Sequence, residues 1–210
     1  MTQRLGHDLK KIIYFNIELK FIFHNAHQNG MIRILLFLFS LIVFASCQNM
    51  PEGARVVKDL QKEKYLGSWY EIARLDHRFE RNLTDVSAQY SLNDDGTIKV
   101  INSGYDTEDK EWVKAEGKAK FRGAESEGKL KVSFFGPFYS GYNILALDDD
   151  YQYALVAGND LGYLWLLSRS PSIPEAIKSD YLDMAEQIGY DTSELIWVEH
   201  ERQNPNLSNE

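Results

Sequence analysis

The 210-residue chain is long enough for one domain of ordinary size with something added at an end. Hydrophobic residues at 44% and charged residues at 26% exclude wholesale disorder and a polytopic membrane protein. The formal net charge of −8 with no local basic patch excludes nucleic acid as a partner, and the body is more acidic still without residues 1–46, which hold five cations and two anions.

Residues 1–30, with the run KKIIYFNIELKFIF, fit neither a leader nor a fold pattern and are rich in residue types with AT-rich codons. The expectation is that Met31 is the true start and that 1–30 is a mis-assigned extension. From Met31 the chain shows Arg33, an apolar stretch from Ile34 to Phe44, and the small-residue end Ala45-Ser46-Cys47. These are the parts of a secretory signal over 31–46. The stretch is too short to span a bilayer, which takes about 20 residues. The tetrad Phe44-Ala45-Ser46-Cys47 resembles the bacterial lipobox, which implies that Cys47 is the lipid anchor and the mature N-terminus. Cys47 is the sole cysteine, so no intrachain disulfide competes for it. Gln48 follows it, and in lipoproteins sorted by that position this implies the outer membrane. Residues 47–64, with Pro51 and Gly53, read as a lipidated tether and lead-in.

Beyond Tyr65 come short segments of period-2 patterning separated by turn signals. Val86, Ala88, Tyr90 and Leu92 alternate with polar residues, Asn93-Asp94-Asp95-Gly96 turns the chain, and Thr97–Ser103 completes a hairpin. Ala115, Gly117, Ala119 and Phe121 alternate likewise, as do Leu130, Val132 and Phe134 after a turn at Gly123–Gly128. One face of each of these strands is wet. Trp69–Leu75, Tyr142–Leu147, Tyr151–Ala157 and Tyr163–Leu167 are apolar at nearly every position and must be covered on both faces. The cover is a helix whose stripe is Ile177, Tyr181, Met184, Ala185 and Ile188. Ser172–Glu175 reads as its capping box and Gly189 as its stop. Leu195–Val198 is a last strand-like piece, the domain is expected over 65–200, and 201–210 reads as a polar tail.

The fold class expected is therefore all-β. About eight strands in antiparallel up-and-down order close into a barrel that holds one small ligand, with one C-terminal α-helix packed outside. The inward set is Ala73, Val86, Ala88, Tyr90, Val100, Ala119, Phe121, Val132 and Phe134, with Glu71 on the same parity as Trp69, and Tyr142 completes the cavity. So many small residues facing inward leave volume unfilled, and a dry cavity of this lining favours an acyl chain.

Gly67-Ser68-Trp69, inside YLGSWYEIARLDHRFER, resembles the GxW opening of the lipocalins, and Arg169, at the end of LWLLSRSP, resembles the distant arginine that packs over that tryptophan. YSLNDDGTIKVIN, LKVSFFGPFYSGYNILALDDDY, YALVAG and YLWLLSRSP extend the likeness from Tyr65 to about Val198 and resemble the outer-membrane bacterial lipocalins, lipoproteins close in type to apolipoprotein D. Asp149-Asp150-Tyr151 departs from the Thr-Asp-Tyr common in the family. The resemblance implies an eight-stranded antiparallel up-and-down lipocalin barrel, a helix on its outside, and a calyx for a fatty acid or lysophospholipid. Gly67, Trp69 and Arg169 are its structural marks rather than ligand contacts.

Glu71 is either a polar anchor for a ligand head group or a satisfied buried acid, with a partner or a raised pKa. At the mouth, Arg78 and Arg81 are candidate head-group contacts. Phe79 and Phe138 belong to an aromatic rim suited to ligand, membrane or a homodimer. His77 and His200 are the only histidines after Cys47, and no GxSxG or metal-spaced cluster occurs, so no enzyme activity, metal or cofactor is expected. The rival readings are a haem or other tetrapyrrole binder using a mouth histidine, and an envelope stress or interaction protein with an incidental cavity.

Overall fold

A computed structural model describes residues Met50–Leu207. The expectations placed on 1–30, on the signal at 31–46 and on Cys47 lie outside the described residues. A short helix α1 (Lys62–Tyr65) leads into eight strands: β1 (Gly67–Leu75), β2 (Leu83–Leu92), β3 (Ile98–Asp106), β4 (Glu111–Phe121), β5 (Lys129–Phe135), β6 (Phe138–Leu147), β7 (Tyr153–Ala157) and β8 (Leu164–Ser168). Helix α2 (Glu175–Ile188) and a short β9 (Leu195–Trp197) follow. Each of β1–β7 pairs antiparallel with the next, and β1 pairs with both β2 and β8, so the sheet closes on itself. Closure leaves no edge among these eight strands.

The two sequence patterns separate the walls. Along β4, residues facing water alternate with the inward set. Along β7 and β8, both faces are buried: Ala154, Val156 and Leu167 join the inner cluster with Trp69, Tyr90 and Val100. Leu155, Ala157, Leu164 and Leu166 join an outer cluster with Tyr181 and Ala185 of α2. Each aliphatic side chain fully buried in that seam contributes about 1.5–3 kcal/mol. The expected stripe needs one correction, because Met184 is 37% exposed and Leu182 packs on the outer cluster instead. The start of α2 needs another. No capping box forms at Ser172–Glu175, since Pro174 is the N-cap without a side-chain bond, and the Ser172 carbonyl is taken by the Ser168 and Ser170 hydroxyls. Gly189 ends the helix in the left-handed region at φ 108°, as the stop signal predicts.

Strand β1 is irregular where it matters. A bulge between Glu71 and Ala73 inserts an extra residue, so the inward parity of Trp69 and Glu71 does not continue to Ala73. Before the bulge β1 pairs with β2 from Gly67 to Tyr70. After it, β9 pairs with Ala73–Leu75. The chain after β9 then runs on as a strap: the Val198 amide donates to the Ile72 carbonyl at 2.9 Å, and the Asp85 amide to the Glu199 carbonyl at 2.9 Å.

Asp85, 2% exposed and at φ 53°, is the strap's main fastening. Its carboxylate accepts the amides of Glu201 and Arg202, both at 2.7 Å, and the Arg202 guanidinium at 2.9 Å. Further on, Asn204 donates to the Ser87 and Ser103 hydroxyls at 2.7 and 2.8 Å. Asn204 is thus buried where the sequence suggests only a polar tail. Burial works against the Asp85 charge, but the Arg202 and Glu201 bonds outweigh it and hold the carboxyl below its ordinary value of 3.8. The stability Asp85 contributes is therefore complete above pH 3.8 and is lost as the pH falls through its lower native value. Asp85→Asn is expected to lower stability at neutral pH by about 1–3 kcal/mol and to flatten the acid limb of the denaturation curve, measured by urea unfolding across the acidic range.

Candidate functional site

The closed end of the barrel is built around Trp69, which is fully buried. Its indole Nε1 donates to the Tyr65 carbonyl at 2.9 Å. The Arg169 guanidinium lies 3.8 Å over the indole and donates to the carbonyls of Ser68 (2.7 Å), Lys64 (2.8 Å), Leu66 (2.9 Å) and Tyr151 (3.2 Å). One planar cation thus ties the lead-in helix, β1 and the β6–β7 turn together. Gly67 adopts φ 92°, and a Cβ there would stand 3.3 Å from Arg169 Nη1. The turn with Asp149 in place of threonine is held by Asp148, which accepts the Gln152 and Tyr153 amides at 2.7 and 2.6 Å. Arg169→Ala is expected to cost about 3 kcal/mol or more, because four carbonyls lose a charged donor together. Thermal unfolding measures this, and Arg169→Lys should recover only part of the loss.

Above this floor stands a cavity of about 830 Å³, within the usual range for small-molecule sites. Of the sequence-predicted set, Glu71, Ala88, Tyr90, Val100, Ala119, Val132, Phe134 and Tyr142 line it. Three do not. Ala73 is turned by the β1 bulge into the outer cluster beneath α2. Val86 lies within a second bulge, between Thr84 and Ser87, and its methyl packs over Gly104. Phe121, the last residue of β4, packs against the core cluster. At the mouth, Phe79 and Phe138 line the cavity together with Phe135, and all three are more than 70% exposed. Arg78 and Arg81 are not in the lining. Arg81 instead pairs with Asp76 at 2.7 Å, which draws its charge along the outside of the loop.

Three tyrosines supply the polar groups at the cavity's closed end. The hydroxyls of Tyr65 and Tyr142 are 2.6 Å apart, and those of Tyr90 and Tyr142 are 3.0 Å apart. Burial pushes all three phenols above their ordinary range, Tyr90 to about 12, so they are neutral at physiological pH.

A further polar group of the lining is one that sequence reading only half anticipated. After the β1 bulge Arg74 comes round to meet Glu71 at 2.7 Å, both buried. Arg74 also donates to the Glu80 carbonyl at 2.6 Å and the Leu83 carbonyl at 3.2 Å. The Glu80 carboxylate lies 3.1 Å from His77 Nε2 and accepts the Trp165 indole at 3.2 Å. The β1–β2 loop is therefore pinned into the upper barrel, with the His77 ring beside those of Tyr163 and Trp165 at 5.7 and 5.3 Å. Burial, and then the Glu80 charge, hold the Glu71 carboxyl well above the carboxylate range against the pull of Arg74. Glu80 is held below it: burial opposes, but the His77 bond and charge and the Trp165 bond prevail.

The sign of the linkage follows. A raised native pKa at Glu71 gives stability that is present below its ordinary 4.5 and is lost as the pH rises through the native value. Glu71→Gln should remove that decline and flatten the stability curve above pH 4.5. Arg74→Ala leaves Glu71 buried without its cation and should cost about 3–5 kcal/mol, read by chemical denaturation at neutral pH.

A family model described as a lipocalin-like domain matches residues 59–200. The outer membrane lipoprotein Blc of Escherichia coli (strain K12) is 52% identical over 159 residues, covering 76% of this chain and 90% of that protein. Temperature-induced lipocalin-1 of Arabidopsis thaliana is 39% identical over 149 residues, 67% of this chain and 79% of that one. Among solved structures, the major allergen Per a 4 from cockroaches superposes with a TM-score of 0.58 at 22% identity, covering 72% of this chain and 95% of that one, a likeness of fold. The closed eight-stranded barrel, the Gly67–Trp69–Arg169 floor and the matched length agree: the chain belongs to the lipocalins, binding proteins for small hydrophobic ligands rather than enzymes.

Proposed function

We infer that this protein carries or stores a single-chain lipid, a fatty acid or lysophospholipid, with the alkyl chain inside the calyx. The observation that carries this reading is the cavity of about 830 Å³ with a mostly apolar lining, in which the polar groups include the tyrosine floor, the Glu71–Glu80 region, Lys114 and a few serine and asparagine side chains. Ala88, Val100, Ala119 and Val132 offer such a chain methyl and backbone surface with no buried acceptor to desolvate, and burial of each methylene favours it by about 0.8 kcal/mol. Anchoring at the outer membrane through Cys47 belongs to the same proposal, supported by the lipobox pattern and by relatives named as outer membrane lipoproteins. If the protein pairs as a homodimer, the exposed Phe79, Phe135 and Phe138 at the mouth are the surface on which a second copy would seat.

The tetrapyrrole alternative finds less support. His77 is wedged between aromatic rings with the Glu80 carboxylate 3.1 Å away, and His200 bonds the Glu71 carbonyl within the strap. His77 lines the cavity, but its packing between rings and the nearby Glu80 carboxylate leave it poorly placed as an axial ligand.

A fluorescent fatty acid should bind saturably at one site per protein and be displaced by unlabelled fatty acid or lysophospholipid. Ala119→Phe, which fills the cavity from a lining position, should weaken binding about tenfold or more while leaving the barrel folded by circular dichroism. Absence of saturable binding to the native protein would overturn the carrier reading in favour of an interaction protein with an incidental cavity.

A further inference from the structure

The chain of hydroxyls from Tyr65 through Tyr142 to Tyr90 contains three protons and two hydrogen bonds. Whichever way the two bonds are directed, one O–H is left without an acceptor inside the chain, and no other described residue accepts from any of the three. All three side chains line the cavity. Tyr65 and Tyr90 are 4% and 7% exposed, and their rings stack at 5.7 Å, so the group is fixed in place. Behind it lies the Arg169 guanidinium over the Trp69 indole, whose positive charge is felt at all three hydroxyls. The floor is therefore a donor surface in a positive field. A terminal methyl resting on it would leave the spare donor unsatisfied.

The wall beneath the β1–β2 loop has the opposite character, whereas Lys114 of β4 lines the cavity on another side. Glu71 and Glu80 both line the cavity, and they already repel each other, with one arginine and one histidine between them. A third carboxylate placed beside them gains nothing electrostatically.

We propose that the Tyr65–Tyr142–Tyr90 floor is a polar subsite for the carboxyl group of a fatty acid, which enters the calyx head-first and leaves its methyl end toward the mouth. The subsite rests on the carrier reading above and goes beyond it by fixing which end of the ligand is buried. Acceptance of the spare hydroxyl proton by a carboxyl oxygen completes the hydrogen bonding of the floor, and Arg169 offsets the acid's charge from below without touching it. Alkyl chains with no oxygen at the buried end are selected against.

The test uses hexadecanoic acid labelled with carbon-13 at the carboxyl or at the terminal methyl, bound to the native protein in the presence of a soluble paramagnetic chelate. The methyl signal is expected to broaden and the carboxyl signal to be protected. Broadening of the carboxyl with protection of the methyl would overturn the proposal while leaving the carrier reading standing. Failure of the acid to bind at all would remove the carrier reading and this subsite with it. Tyr142→Phe keeps the ring and removes the middle hydroxyl. It should weaken hexadecanoic acid about tenfold and broaden the carboxyl signal, and unchanged affinity with a still protected carboxyl would equally overturn the assignment.

Discussion

Strand β1 has to serve three partners with one backbone, and it does so by changing parity once. Up to Glu71 its odd residues face the interior, where Trp69 meets Arg169 and Glu71 meets the cavity. One inserted residue later, Ile72, Ala73 and Leu75 belong to the seam beneath α2, while Arg74 returns inward to Glu71. Without that shift the arginine would face the greasy underside of the helix, and Glu71 would sit in the barrel with no cation. The same change of direction releases β1 from β2 beyond Tyr70 and gives its upper edge to β9. Floor, wall, helix seam and strap are all arranged around this irregularity, in keeping with the use of bulges to re-aim side chains in barrels.

Polar groups inside an apolar barrel are stable only when their hydrogen bonds are nearly complete. The wall cluster goes part of the way with two acids, one arginine, one histidine and an indole N–H, all from β1, β8 and the loop between β1 and β2, leaving Arg74 Nε and the His77 ring nitrogens without a well-aligned hydrogen bond. A buried ion pair of this kind adds little net stability relative to a hydrophobic pair. What it does is specify where the loop goes, because only one placement of residues 76–82 satisfies both Arg74 and Glu80. The floor cluster falls short in a different way. Its three hydroxyls satisfy one another with a proton to spare, and that donor faces the cavity.

Periodicity revealed the strand walls and the outer helix because both rest on repeating apolar positions that must be covered. The Asn93–Gly96 hairpin and the Gly189 stop were legible for a local reason, since a turn or a left-handed cap needs those residue types. Within the site, the regular strands could be read directly: Ala88, Tyr90, Val100, Ala119 and Val132 line the cavity as alternation predicts. The misplacements at Ala73 and Val86 both fall at bulges, and a bulge redirects side chains without leaving a mark in composition. Asp85 at φ 53° is a hint of the second one, visible only when the backbone is known. The roles of Arg74 and Glu80 were hidden because their partners are set by three-dimensional closure, and the docking of Asn204 was hidden because a polar segment satisfied by other polar groups looks like any loop. The capping box failed at Ser172 because Pro174 starts the helix two residues later.

The strap lying between the upper parts of β1 and β2 is made from the part of the chain synthesised last. A polypeptide that emerges N-terminus first has β1 through β8 available before residues 198–204, so the barrel can assemble while its lateral join is still unsealed. Asp85 waits with an unpaired carboxylate until the Glu201 and Arg202 amides arrive. The finished wall is thus a late event in the life of the chain, and the completeness of the C-terminus is reported by the integrity of the seam.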